Sequence, residues 1–269
     1  MATIQAALES VRAQTFTDWE MVVCDDGSDD GSTELIHEAI RADARIRMVV
    51  SSERSGPATA RNTAITLARG DNVAFLDADD VLEPTYLEEM LAKLEAAGPN
   101  TGIVCCDAWL VDATGSVLGR WSDSVGRADG LDLAGLLRSN RIFVASLCPR
   151  RVIEAAGGFF PEMVAEDYDL WIRICELGYD VAQVAAPLVR YRVDPNSLSA
   201  SRSRMAIGDQ LVFQRALTRG NLDGRERRIA QARLDLARAA LATSGGIGPS
   251  ALRPLIRAIR ARARLAYMR

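Results

Sequence analysis

Val73-Ala74-Phe75-Leu76-Asp77-Ala78-Asp79-Asp80 runs a short apolar stretch directly into three closely spaced carboxylates, and the reading of this octapeptide decides the fold. Asn72–Leu76 has the length and apolar content of a buried strand. Acids at the carboxyl end of such a strand stand in the crevice where open α/β sheets bind their ligands. Carboxylates this close repel one another unless a cation or hydrogen-bond donors balance them. A hard divalent cation that also bridges to phosphates is the simplest balance, because Mg²⁺ typically takes one or two carboxylates plus substrate oxygens. Capping the helix that follows needs only one of the three.

The pattern repeats on both sides of this stretch. Upstream, Trp19–Cys24 reads as a strand, Ser32 to about Arg41 as a helix, Ile46–Ser51 as a strand and Pro57–Ala68 as a helix. Proline suits the first turn of the last of these, and Gly70 closes it. Downstream come a helix over Pro84–Ala97, strands at Thr101–Val111, Ser116–Trp121 and Ile142–Leu147, and a short helix after Pro149. A helix at Glu166–Leu177, carrying Leu170, Ile174 and Leu177 inward, and strands at Val181–Ala185 and Leu188–Val193 complete the alternation. This order predicts an α/β fold with a mainly parallel sheet flanked by helices. After Ser201 the pattern is wholly helical, with a break around Gly220.

Two more acidic clusters extend the candidate site. Asp25-Asp26-Gly27-Ser28-Asp29-Asp30-Gly31-Ser32 also follows a buried strand, and loops after successive parallel strands meet at one sheet edge. Asp25 and Asp26 can accept from a base imide, and the glycines let the loop approach a ligand closely; a solvated, N-capped turn is the plain alternative. In Ser55-Gly56-Pro57-Ala58-Thr59-Ala60-Arg61-Asn62, Arg61 lies one turn into a helix beside the cleft, where a guanidinium can pair with phosphate. In Val164-Ala165-Glu166-Asp167-Tyr168-Asp169-Leu170-Trp171, an acid at the start of a helix can take a proton from an attacking hydroxyl or simply cap the helix.

Taken in order, these motifs resemble glycosyltransferase family 2, the inverting enzymes of the GT-A nucleotide-diphospho-sugar transferase fold. The resemblance runs from about Ile4 to Ser199, through Ala7–Thr15, Val23–Ser28, Gly56–Asn62, Leu76–Asp80, Gly157-Gly158-Phe159, Glu166–Trp171 and Tyr191-Arg192. It implies metal-dependent transfer of a sugar, with inversion, from a nucleotide-diphosphate donor (a UDP-sugar favoured) to an acceptor hydroxyl. The setting it implies is surface polysaccharide or glycolipid synthesis, with a glycan or lipid-linked acceptor. By the same resemblance Asp25, Asp26, Arg61, Asp77, Asp79 and Asp80 bind the nucleotide-sugar, and Asp79 holds Mg²⁺ or Mn²⁺. Asp167 is the general base, while Glu166 and Trp171 lie on the acceptor side. The chain departs from the family in opening with an amphipathic helix (Ile4, Ala7, Leu8, Val11) where relatives have a strand and a short loop. Either an upstream strand belongs to the working protein or the protein lacks it; in a parallel sheet its absence leaves unpaired groups on its neighbours. Asp194 stands where many relatives carry histidine and offers a carboxylate to a hard cation instead.

Composition bounds the alternatives. Apolar residues make up 48% and charged residues 25% of 269, which excludes wholesale disorder. The sequence has neither an apolar run of membrane-spanning length nor a secretory leader, and its five cysteines lack zinc-site spacing; the expected location is cytoplasmic, with reduced thiols. From Ser201 onward fifteen arginines face four acids, whereas the preceding part is strongly acidic. We therefore divide the chain into a catalytic domain at 1–200 and a basic helical extension at 201–269. The last stretch, Ser250–Arg269, reads as a basic amphipathic helix suited to the inner face of a membrane, or to packing on the catalytic domain or on a second copy in a homodimer. Without aromatic interleaving or a recognised module, nucleic acid is not an expected partner. The rivals are a non-catalytic or impaired nucleotide-sugar-binding protein and a haloacid-dehalogenase-like phosphatase. Phe75–Leu82 suits the latter, but Lys93, the only lysine, is too near for that chemistry.

Overall fold

The structure is a computed structural model and describes residues 2–51, 54–125, 130–194 and 201–244. The stretch read as a basic amphipathic helix, 250–269, lies outside the described residues, as do 195–200. The elements run α1 (Ala2–Arg12), β1 (Met21–Asp25), α2 (Ser32–Ala42), β2 (Ile46–Val50), α3 (Pro57–Leu67), β3 (Asn72–Ala74), β4 (Val81–Leu82), α4 (Tyr86–Ala97) and β5 (Thr101–Val111). They continue with β6 (Val117–Arg120), α5 (Trp121–Val125), α6 (Leu133–Arg138), β7 (Leu147–Pro149), α7 (Arg150–Ala155), α8 (Glu166–Glu176), β8 (Asp180–Arg192), α9 (Arg202–Arg219) and α10 (Gly224–Ser244).

Strand pairing falls into two sheets. β1 and β2 pair in parallel by themselves, while the second sheet has the order β3-β7-β5-β8-β4, with β6 on β5. Where a mainly parallel sheet was expected, the pairing is mixed: β5 and β8 are parallel, whereas β3–β7, β5–β7, β4–β8 and β5–β6 are antiparallel. Among the described residues β1 pairs only with β2 and β3 only with β7. The amphipathic helix α1 spans the division. Its Ile4 and Leu8 pack with Ile36, Ala39 and Ile46 on the β1–β2 side, and Val11 packs with Leu82 and Tyr86 on the other. Polar contacts fix the same crossing: Leu82 N donates to Ser10 Oγ at 3.2 Å, and Leu87 N to Gln14 Oε1 at 2.9 Å. Glu20, just before β1, accepts Gly70 N at 3.0 Å and pairs with Arg47.

The main core has two layers split by β5. Cys105 joins Phe75, Leu170 and Trp171 on one face, and Cys106 joins Tyr86, Met90 and Leu147 on the other, as adjacent strand residues must. All five cysteines are free thiols. The two strands expected at 181–185 and 188–193 form one strand, β8. Pro187, which has no N–H to donate, is accommodated by register shifts opposite Cys106–Ala108, so the ladder bends without ending. Gly102 lets α8 lie close against the sheet, since a Cβ there would stand 2.8 Å from Ile174 Cγ2.

α8 is buried on all sides. Leu170, Trp171 and Ile174 face the sheet, and Tyr168 and Ile172 face α9 and α10 through Val212, Phe213, Ile229 and Leu234. Its charged residues Asp169, Arg173 and Glu176 enter that interior in ion pairs. Leu177, expected to point inward, instead caps the helix and is 51% exposed. α9 and α10 thus share a core with α6 and α8, and α9 ends at Gly220 in the left-handed conformation. No helix among the described residues is long and apolar enough to cross a membrane.

Candidate active site

The loop after β3 holds the three acids of the deciding octapeptide. One carboxylate oxygen from each of Asp77, Asp79 and Asp80 lies within 4.8 Å of the others. Asp80 is buried; its Oδ1 accepts the N–H of Arg192 at 2.9 Å, and its Oδ2 has no hydrogen-bond partner among the described residues. Burial, reinforced by Asp77 and Asp79, pushes the Asp80 carboxyl up to about 8. Loss of hydration and the charge of Asp77 raise Asp79 as well. Hard oxygen donors, one of them buried and unsatisfied, fit a divalent cation. Arg192 also clasps the loop through Nε, which donates to Asp79 O at 3.2 Å, and ties it to the β5–β6 turn through Ala113 O at 3.0 Å.

Arg61 joins this loop to α8. Its Nη2 donates to Asp77 Oδ1 at 2.7 Å and its Nη1 to Glu166 Oε1 at 2.6 Å, with the guanidinium mostly buried. Burial opposes its charge, but Asp77 and Glu166 hold it firmly protonated. The helix that carries Arg61 is anchored by Asn62, which exchanges hydrogen bonds with both the carbonyl and the N–H of Phe159 at 2.7 and 2.9 Å. Glu166 is therefore a buried partner of Arg61. Asp167, beside it, is half-buried and within electrostatic range of Glu166, Arg61 and Asp77. Burial, then the charge of Glu166, raises the Asp167 carboxyl to about 6, against the opposing pull of Arg61. Such a group is ionised at neutral pH and still basic, which suits proton abstraction.

The remaining expected residues fall in two places. Asp26 accepts from Ser55 N, Ser55 Oγ and Gly56 N at 2.8, 2.7 and 2.7 Å, fixing the approach to α3. Asp25 is buried, and both its oxygens are used inside the loop, by Ser28 N at 2.9 Å and Thr33 Oγ1 at 2.6 Å. A shallow pocket of about 300 Å³ opens beside them, lined by Asp26, Gly27, Ser28, Asp29, Asp30 and Arg54. Trp171 has no exposed surface; its ring lies 6.4 Å from that of Phe75 in the core. Asp194 is exposed and close enough to Asp79 to raise it. The Arg192 clasp and the Asn62 anchor were not assigned from the sequence, although both residues lie within motifs quoted above.

A family profile described as "Glycosyl transferase family 2" matches residues 2–154. EpsH of Bacillus subtilis (strain 168) is 39% identical over 104 residues, covering 39% of this chain but only 29% of EpsH. The UDP-Glc:alpha-D-GlcNAc-diphosphoundecaprenol beta-1,3-glucosyltransferase WfaP of Escherichia coli is 26% identical over 215 residues, 79% of this chain and 80% of that protein. Among solved structures, the mannosyltransferase PcManGT of Pyrobaculum calidifontis in complex with GDP-Man and Mn²⁺ superposes with a TM-score of 0.68 at 24% identity. The match covers 99% of this chain and 75% of that one, and it shows the shared fold.

Proposed function

Because the chain belongs to glycosyltransferase family 2, we propose that it transfers a sugar, with inversion, from a UDP-sugar to a hydroxyl of a glycan or lipid-linked acceptor. The observation that carries this reading is the fork of Arg61, whose bonds to Asp77 and Glu166 gather five carboxylates around one cleft. Uridine is chosen because WfaP is named for a UDP-glucose donor, and a lipid-linked acceptor because the same name specifies a diphosphoundecaprenol. Such an acceptor sets the reaction at the cytoplasmic face of a membrane. Surface-polysaccharide synthesis is the corresponding role.

Each group has a task in this reading. Asp79, with Asp77 and Asp80 beside it, would hold a divalent cation, Mg²⁺ or Mn²⁺, whose charge offsets that of the departing diphosphate. Asp26 and its pocket receive the base. Arg61 holds the Asp77 loop against α8. Asp167 accepts the proton of the acceptor hydroxyl as its oxygen bonds to the anomeric carbon and the bond to the nucleoside diphosphate breaks. Glu166 acts by holding Arg61 and by keeping Asp167 basic.

The test is calorimetric titration of UDP into the full chain with and without Mn²⁺, beside Asp79→Asn and Asp167→Asn. Binding that needs Mn²⁺ and is lost in Asp79→Asn supports the donor site; equal binding without metal removes the cation from the reading. Asp167→Asn should bind UDP normally and release none from UDP-glucose. Donor binding by the parent chain with no turnover of any UDP-sugar and acceptor would favour a non-catalytic nucleotide-sugar-binding protein.

A further inference from the structure

Asp169 is fully buried one turn into α8, yet it carries a cluster of arginines. Arg173 Nε donates to its Oδ2 at 2.7 Å. Two residues of α9 approach the other oxygen, Arg219 Nη1 at 3.2 Å and Arg215 Nε at 3.8 Å. Arg219 also holds Glu176, whose side chain is 2% exposed, through Nε at 2.6 Å and Nη2 at 3.1 Å. Asp169 and Glu176 are therefore gripped by one guanidinium although they stand about 10 Å apart along the helix axis. A single planar fork attached at both ends of a helix face opposes both sliding and rotation of that helix.

The direction of this grip matters for chemistry. At 100° per residue, Asp167 and Asp169 leave the first turn of α8 about 200° apart, so one faces the cleft and the other the extension. Rotation that broke the bond of Asp169 to Arg219 would carry Asp167 with it, and would leave the buried Asp169 carboxylate only its partner within α8, Arg173. The same arginines reach the opposite wall. The Phe160 ring lies between the guanidinium groups of Arg173 and Arg215, 4.2 Å from each. Its neighbour Phe159 is the residue that anchors Asn62, next to Arg61.

The geometry points to Arg219 as a positioning residue for the transfer reaction: from the helical extension it fixes the rotation of α8, and through it the placement of Asp167 toward the acceptor hydroxyl. This rests on the reading of Asp167 as the base. α9 is then part of the catalytic unit, acting on the reaction without touching either substrate.

The experiment compares the full chain with Arg219→Lys, which keeps the charge but loses the fork, and with Arg219→Gln. The readouts are the carboxyl ¹³C titration of Asp167, assigned by its absence in Asp167→Asn, and release of UDP from UDP-glucose in the presence of Mn²⁺. Both variants should displace the Asp167 titration by about half a pH unit or more. Turnover should fall about tenfold or more while UDP affinity stays within about twofold of the parent. Overlaying titrations and equal turnover in folded variants overturn the assignment. Should Arg219→Gln not fold, Glu176→Gln, which removes one end of the grip, decides on the same criteria. Turnover that survives Asp167→Asn defeats the base reading alone, because displacement of the titration is read independently of it.

Discussion

Arg61 and Glu166, 105 positions apart in the sequence, meet at 2.6 Å with both side chains largely buried. Their pairing joins the two acidic clusters that read separately as a strand end and a helix start. Breaking one side of such a pair leaves the other buried and uncompensated. Arg61→Ala should therefore cost about 2–4 kcal/mol of stability by urea unfolding, part of the full penalty being offset by solvent at Asp77. Glu166→Gln should cost less, and the double variant should reveal a coupling of about 1–3 kcal/mol.

The raised Asp167 carboxyl sets the pH dependence. Its folded value of about 6 lies above that of an unfolded aspartate, so the folded state binds the extra proton. This contribution to stability is greatest in acid and is lost as pH rises from about 4 through 6. Turnover runs the other way, because only the ionised form accepts a proton. Its acid limb should lie near pH 6 in a profile of kcat/KM, and Asp167→Asn should lower kcat by about a hundredfold or more.

Gly158 tests the Asn62 anchor. Its φ is +68°, and an added Cβ would stand 2.8 Å from Asn62 Oδ1. Gly158→Ala should destabilise the fold by about 1–3 kcal/mol and weaken the hold on α3. Thermal unfolding with and without UDP and Mn²⁺ checks this, and the stabilisation by ligand should shrink in the variant.

Asp26 tests the nucleotide shelf. Asp26→Ala removes the acceptor for three donors of Ser55 and Gly56. UDP affinity should fall about tenfold by calorimetry, since a lost charged acceptor costs about 1.5 kcal/mol. Asp26→Asn should restore part of this through its remaining carbonyl.

Features with a local cause were legible in the sequence. The apolar run before the carboxylates marks β3, although the strand ends at Ala74 rather than Leu76, and Glu166 opens α8 where the apolar periodicity begins. Gly220, at the break expected after Ser201, ends α9. What escaped reading depends on distant partners. The antiparallel course of β7 between β3 and β5 is a matter of tertiary register. Trp171 is placed on the acceptor side by resemblance to the family alone, and its position on the helix turns it toward Phe75 and out of reach of solvent. The surplus of arginine after Ser201 reads as a basic appendage on an acidic domain. Arg219 is instead drawn inward by Asp169 and Glu176, acids that nothing in its own segment marks as partners.

The separation of β1–β2 from the larger sheet gives the molecule two sets of ladder hydrogen bonds, with α1 laced between them. Asp25 and Asp26 ride on the smaller set and Asp77–Asp80 on the larger. On the proposed donor site, a nucleotide that spans both would act as a suture, closing the seam by holding the two at a fixed separation. Amide exchange should therefore slow far more in β1 and β2 than in β5 and β8 when UDP and Mn²⁺ bind, and the base pocket should gain its rigidity from the substrate it selects.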